Sequence, residues 1–248
     1  MHTQVLEKPR YKLLDELRGF MVLCMVVYHG FLSVDMAVGS PLCIWLFDFF
    51  TPAEPFFAGG FIMLSGICCH FSHSNLRRGG ILFLIALGVN AVTILADLWF
   101  GMDIAILFGI LNFLSVCMLF VGVFNFALKK LNPIAGMIIF GLLFAAAVIF
   151  VSKPDFSYIK VESEWLFPFG FYSSGFSSAD YFPLLPWMPL YLFGYYFGRS
   201  GIIERFPKFF MWGKIPPLDF LGRHAIWVYI IHQPAIYGTA LLIGGLLK

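Results

Sequence analysis

LLDELRGFMVLCMVVYHGFLSVD, residues 13–35, decides how the rest of the chain is read. This otherwise apolar run carries Asp15, Glu16 and Arg18 at one end and His29 toward the other. At about 1.5 Å of rise per residue, an α-helix places Arg18 and His29 roughly 16 Å apart along its axis. Eleven residues also bring a helix back to nearly the same face. Asp15, Arg18, Val22, Met25 and His29 therefore form one i, i+3, i+4 ladder. Ionisable groups at membrane depth are costly and usually face a protein interior or a wet cavity. The ladder is the strongest functional lead in the sequence.

Working outward, the chain of 248 residues is 60% hydrophobic and 12% charged, with 31 phenylalanines. Its mean hydropathy is +0.87. A water-soluble globule of this size cannot hide so many apolar runs, so the composition indicates an integral membrane protein. The runs are continuously apolar rather than alternating, which selects helices over a closed β-barrel. Net charge is only +2, with Lys and Arg in short clusters, so nothing supports nucleic-acid binding. The five cysteines show neither metal-ligand spacing nor a disulfide framework, and Cys68-Cys69 reads as packing within a span. No cleaved signal peptide is expected, because no small-residue cleavage site ends the first run.

The expected fold is all-α: a polytopic transmembrane helical bundle in one domain, residues 1–248. Spans are placed near 13–35, 53–72, 79–98, 104–127, 133–151, 184–199 and 221–246. Most satisfy the roughly 17–25 residues needed to cross the hydrocarbon core. The sixth is short and Pro-rich at its start. Cys43–Phe50 reads as a partial or interfacial helix, closed by Thr51-Pro52. Basic residues precede the first span (Lys8, Arg10, Lys12) and lie between the second and third (Arg77, Arg78). They recur after the fourth (Lys129, Lys130) and between the sixth and seventh (Arg199, Arg205, Lys208, Lys214, Arg223). Seven crossings put all of these on one side, which makes the N-terminus cytoplasmic. The opposite loops hold Asp35, Asp48, Asp97, Asp103, Asp155, Glu162, Glu164 and Asp180, with only Lys153 and Lys160 as bases. The longest of them, 152–183, is rich in aromatics (Trp165, Phe167, Phe169, Tyr172, Tyr181) and suits either interfacial anchoring or a substrate-facing lid.

Several side chains could carry chemistry. His29 can take and return a proton or become transiently acylated; it can equally be a hydrogen-bonded strut between helices. Arg18 can grip phosphate bidentately, or pair with Asp15 one turn away. Glu54 begins the second span close to the expected level of His29. Asn90, Asn112 and the pair His232-Gln233 fall inside later spans. Unsatisfied amides and imidazoles in lipid cost about 1–3 kcal/mol or more, so these groups should converge on a shared cavity or pair between helices. In FFAGGFIMLSG, residues 56–66, Gly59, Gly60, Ser65 and Gly66 permit close helix contact, or leave room for a slender acyl chain or pantetheine arm. HFSHSNLRRG places His70, His73, Arg77 and Arg78 at the cytoplasmic boundary, as a phosphate-binding patch or as plain positive-inside charge. His70 and His73 lack carboxylate or cysteine companions, so no metal is expected. Walker A, G-x-S-x-G and zincin motifs are absent from the sequence.

LLDELRGFMVLCMVVYHG resembles the first span of membrane acyltransferases, and FFAGGFIMLSG followed by FSHSNLRRG adds to that likeness. FGILNFLSV (108–116), DYFPLLPWMPLYLFGYYFGR (180–199) and LGRHAIWVYIIHQP (221–234) resemble one branch. This branch comprises the small bacterial proteins related to the catalytic domain of heparan-alpha-glucosaminide N-acetyltransferase. The resemblance implies a transferase of the bacterial cytoplasmic membrane. It would take an acyl group from cytoplasmic acyl-CoA, with acetyl-CoA the expected donor, and pass it to a sugar, glycan or glycolipid acceptor. His29 matches the first-span histidine of the wider acyltransferase group, Arg18 its arginine, and His232 the histidine of the closing L-G-x-x-x-x-x-x-Y-x-x-H-Q-P pattern. Asn112 stands where the small bacterial proteins often have histidine.

Under the acyltransferase reading, His29 and His232 are the catalytic candidates. Arg18, Arg77 and Arg78 receive the donor's phosphates, and Glu54, Asn112 and Gln233 supply polar contacts to substrate or oxyanion. The rival is a proton-coupled transporter or flippase-like carrier in which His29, Glu54 and His232 line a translocation path. A third reading is a structural membrane subunit without a cavity.

Overall fold

The computed structural model describes residues 11–101, 103–151, 165–173, 175–206 and 213–246. The expected charged positions Lys8, Arg10, Lys153, Asp155, Lys160, Glu162, Glu164 and Lys208 lie outside the described residues. The architecture is all-α. Helix α1 spans Lys12–Val38, α2 Pro41–Phe50, α3 Glu54–Phe71, α4 Asn75–Phe100 and α5 Ile110–Val123. They are followed by α6 Asn125–Lys130, α7 Pro133–Val151, α8 Leu184–Arg199, α9 Pro216–Arg223 and α10 Ala225–Leu246. The only β-type pairing among the described residues is isolated bridging, such as that between Phe108 and Tyr181.

Helix ends follow local chemistry. Ser40 caps α2 by accepting from the Cys43 N–H, and Ser74 caps α4 by accepting from the Arg77 N–H. Gly39 and Gly101 close α1 and α4 in the left-handed conformation, with φ of 64° and 59°. The Thr51-Pro52 break is a short 3-10 turn between α2 and α3.

Among the described residues, five stretches are long and apolar enough to cross a membrane: α1, Pro41–Phe71, α4, α7 and α10. The other two apolar runs also form helices, but shorter ones. At 14 and 16 residues, α5 and α8 reach only about 21 and 24 Å, against a core of about 30 Å. Helix α5 begins at Ile110 rather than near residue 104 because polar side chains capture the preceding loop. Asp97 Oδ1 accepts from the Ile104 N–H, Thr93 Oγ1 from Ile106 and Ser178 Oγ from Leu107. Asn90 Nδ2 donates to the Leu107 carbonyl, and Asp180 Oδ2 accepts from the Ile110 N–H at 2.9 Å. In α8 the first turn is irregular, with Leu185 in an extended conformation.

The chain divides into two compact units. The first combines Met1–Phe61 with Glu204–Lys248. Here α1 lies along α9 and α10 and also against α2. The α1–α9 crossing is a backbone-to-backbone approach. A Cβ on Gly19 would overlap the Leu218 carbonyl oxygen, and one on Gly222 would overlap that of Asp15. Beside it, Glu16 is only 8% exposed, and its Oε1 accepts from the Ile215 N–H at 2.6 Å, fixing the entry to α9. Glu16→Ala should lower stability by about 1–3 kcal/mol, because a buried N–H loses its acceptor. Denaturant titration in detergent measures this.

The second unit is Ile62–Ile203. Its principal pairings are α4 with α5 and α7 with α8. Gly66 and Gly194 let two backbones approach. A Cβ at either would overlap a carbonyl oxygen, that of Tyr191 or Met63 respectively. Gly66 therefore serves packing, one of the two roles expected of the small residues in residues 56–66. Phe113, Tyr191, Tyr195 and Tyr196 fill the core, together with Cys69 and Cys117. Arg199 closes the end of α6 by donating to the Leu128, Lys129 and Leu131 carbonyls. The aromatic loop folds on itself. Phe167, Tyr172, Phe176 and Tyr181 pack ring against ring, and the Tyr181 hydroxyl donates to the Phe167 carbonyl at 2.6 Å.

Candidate active site

The first unit brings together two residues 203 positions apart: His29 Nδ1 lies 3.1 Å from His232 Nε2. The rings stack at 25° with centroids 5.4 Å apart. His232 is 8% exposed, whereas His29 is half-buried. The neighbouring Tyr28 stacks on Phe47 of α2, and its hydroxyl lies 3.1 Å from Thr51 Oγ1. Thr51 Oγ1 in turn donates to the Phe47 carbonyl. The α2–α3 junction is thus tied to α1 at the level of His29, and Glu54 opens α3 immediately after it. Tyr28 was not among the sequence candidates, and Thr51 figured there only as part of the break after Phe50. Tyr28 adjoins His29 in the run VVYHG, which is the one signal that pointed there.

Arg18 pairs with Asp15 at 3.1 Å, as the one-turn spacing allows, and its Nη1 also lies 3.5 Å from the Gly222 carbonyl. The lower end of the ladder therefore braces the α1–α9 crossing. Gln233 is on an exposed face of α10, one residue past the buried His232.

In the second unit, Arg77 and Arg78 line a cavity of about 490 Å³ with Phe71, Ser72, His73, Ser74 and Ile81. This cavity sits at the N-terminus of α4, the positive end of the helix dipole, which favours an anion. The expected His70–His73 patch is split. His73 lines the cavity, while the His70 ring meets Tyr195 edge-on at 6.2 Å. Asn112 is buried, and its Oδ1 accepts from the Gly109 N–H at 3.2 Å, so it caps its own helix. Among the described residues, no group of three or more His, Cys, Asp or Glu is placed to hold a metal ion.

Residues 10–234 match the family described as heparan-alpha-glucosaminide N-acetyltransferase, catalytic. The chain belongs to that family. The match to the N-acetyltransferase family takes in every candidate residue from Arg18 to Gln233 and runs through both units. It agrees with the likeness carried by the first-span and closing motifs, and family membership supports an acyl-transfer type of chemistry in general terms. No curated protein and no solved structure matches the chain.

Proposed function

We propose that this protein is an acyl-CoA-dependent transferase of the bacterial cytoplasmic membrane, with an acetyl group the cargo and a sugar, glycan or glycolipid the acceptor. The contact between His29 and His232 carries the reading. Two imidazoles from α1 and α10 meet at a site where a proton can be accepted and returned. In the proposed reaction, His29 removes a proton from the acceptor hydroxyl or amine. The acceptor then bonds to the thioester carbonyl carbon, the C–S bond breaks, and the coenzyme thiolate leaves with the proton. Glu54 and Gln233 are assigned to the acceptor and to the developing oxyanion. Asn112 is the weaker member of that set, since its side-chain oxygen is already used in the cap.

Arg77 and Arg78 are assigned to the donor's phosphates, supported by the cavity they line at the start of α4. Arg18 is the third basic group of the proposal; its guanidinium has five donors, and Nη1 serves Asp15 and Gly222. The proposed topology is seven crossings with the N-terminus cytoplasmic, which places Arg77 and Arg78 on the side where coenzyme A is found. Both units are taken as one acyltransferase domain, because the family match is continuous through them.

Labelled acetyl-CoA offered to purified protein with a panel of amino sugars and polyprenyl-linked glycans tests the proposal. Acceptor-dependent release of coenzyme A is expected. Sugar flux through sealed vesicles without thioester loss would instead identify a carrier. Replacing both Arg77 and Arg78 by alanine should raise KM for acetyl-CoA about tenfold and leave kcat within about twofold, the pattern for lost ground-state binding. Initial-rate kinetics at saturating acceptor measures the split.

A further inference from the structure

We propose that His232 is a positioning residue, which holds His29 in the tautomer whose Nε2 carries the lone pair. This rests on the assignment of His29 as the base and specifies how that base is prepared.

The argument starts at the backbone of α10. His232 Nδ1 lies 2.6 Å from the Tyr229 carbonyl oxygen and 3.2 Å from that of Val228. A carbonyl oxygen only accepts, so this nitrogen carries a hydrogen. In a neutral imidazole the other nitrogen is then an acceptor. That atom, Nε2, faces His29 Nδ1 at 3.1 Å, so His29 Nδ1 is the donor of the pair. A neutral His29 protonated on Nδ1 has its lone pair on Nε2. The relay runs in one direction: His29 Nδ1–H to His232 Nε2, and His232 Nδ1–H to the Tyr229 carbonyl.

The anchoring group is a main-chain carbonyl three residues back on the same helix. It neither titrates nor turns away, so the tautomer is set by the helix itself. The titratable rings against the pair are Tyr28, 5.5 Å from His29, and Tyr229, 5.9 Å from His232. During transfer, the acceptor's proton goes to His29 Nε2 and later leaves with the coenzyme thiolate. The Nδ1 hydrogen stays in its bond to His232 throughout, and that bond stabilises the imidazolium in between. This is the orienting role that a carboxylate fills in a Ser-His-Asp triad, supplied here by a second imidazole.

Nitrogen-15 spectra of histidine-labelled protein, with the His29 signals assigned by their loss in His29→Asn, read the tautomer without any substrate. Expected are a protonated Nδ1 and an unprotonated Nε2 on His29 in the wild type, and loss of that preference in His232→Ala. Turnover should fall about a hundredfold in His232→Ala with KM for acetyl-CoA unchanged. It should recover to within about tenfold of wild type in His232→Gln, whose amide oxygen can accept from His29 Nδ1. A protonated His29 Nε2 in the wild type overturns the proposal. So does a folded His232→Gln protein as inactive as His232→Ala. Because the spectra need no acceptor, absence of transferase activity would refute the proposed function while leaving the tautomer measurable on its own.

Discussion

Replacing His29 with alanine should lower turnover by about a hundred- to ten-thousandfold while leaving the protein folded and able to bind acetyl-CoA. The size follows from the usual worth of a positioned general base. The fold should survive because His29 is half-buried and its hydrogen bond to His232 is worth only about 1 kcal/mol net. Thiol release under saturating donor and acceptor measures kcat, and calorimetric titration measures donor binding. Undiminished turnover in His29→Ala would remove the base from the scheme even if the enzyme remained a transferase. Loss of donor binding together with turnover would assign His29 to the donor rather than to the acceptor's proton.

The second large effect is expected at the α1–α9 crossing. Gly222→Leu and Gly19→Leu should each destabilise the protein by about 3 kcal/mol or more, and abolish activity with it. Each new side chain meets a carbonyl oxygen of the facing backbone, not the end of a flexible side chain. No rotamer relieves that overlap, so the helices must separate. Separation would also disturb the hydrogen bond of Glu16 to Ile215 and the contact of Arg18 with Gly222. Gly88→Ala is the internal control. It lies within α4 with open space where a Cβ would stand, and should be neutral or stabilising by up to about 1 kcal/mol. Thermal and denaturant unfolding of the three variants in one detergent measures the contrast. Equal stability of Gly222→Leu and Gly88→Ala would mean that α1 and α9 do not meet as described.

Much of this was readable from residue patterns. Continuous apolar runs gave the helices, and Thr51-Pro52 gave the break between α2 and α3. The ladder in the first span marked His29, and His232 was one of several polar groups inside later spans expected to converge. The rest depended on contacts that sequence spacing does not encode. Glu16 and Ile215 are 199 residues apart, and nothing in a charged residue near a span's end names a distant backbone N–H as its partner. Gly19 and Gly88 look alike in an apolar run, yet one touches a neighbouring helix and the other faces open space. The late start of α5 is set partly by Ser178 and Asp180, about seventy residues downstream of the loop they hold, so local hydropathy overextended that helix. Asn112 was singled out for its place inside a span, but its side-chain oxygen accepts from the Gly109 N–H three residues away, a local use that the G-x-x-N spacing permits.

The order in which the ribosome delivers these helices adds one consequence. Beyond α2, the partners of α1 are α9 and α10, and His29 waits for a residue 203 positions later. At about 5–20 residues per second, that wait lasts roughly 10–40 s. Throughout it, Arg18 and Asp15 have each other within α1, but Glu16 lacks the Ile215 N–H and Arg18 the Gly222 carbonyl. A chain arrested before residue 216 would lack both α9 and α10, and with them the imidazole that faces His29.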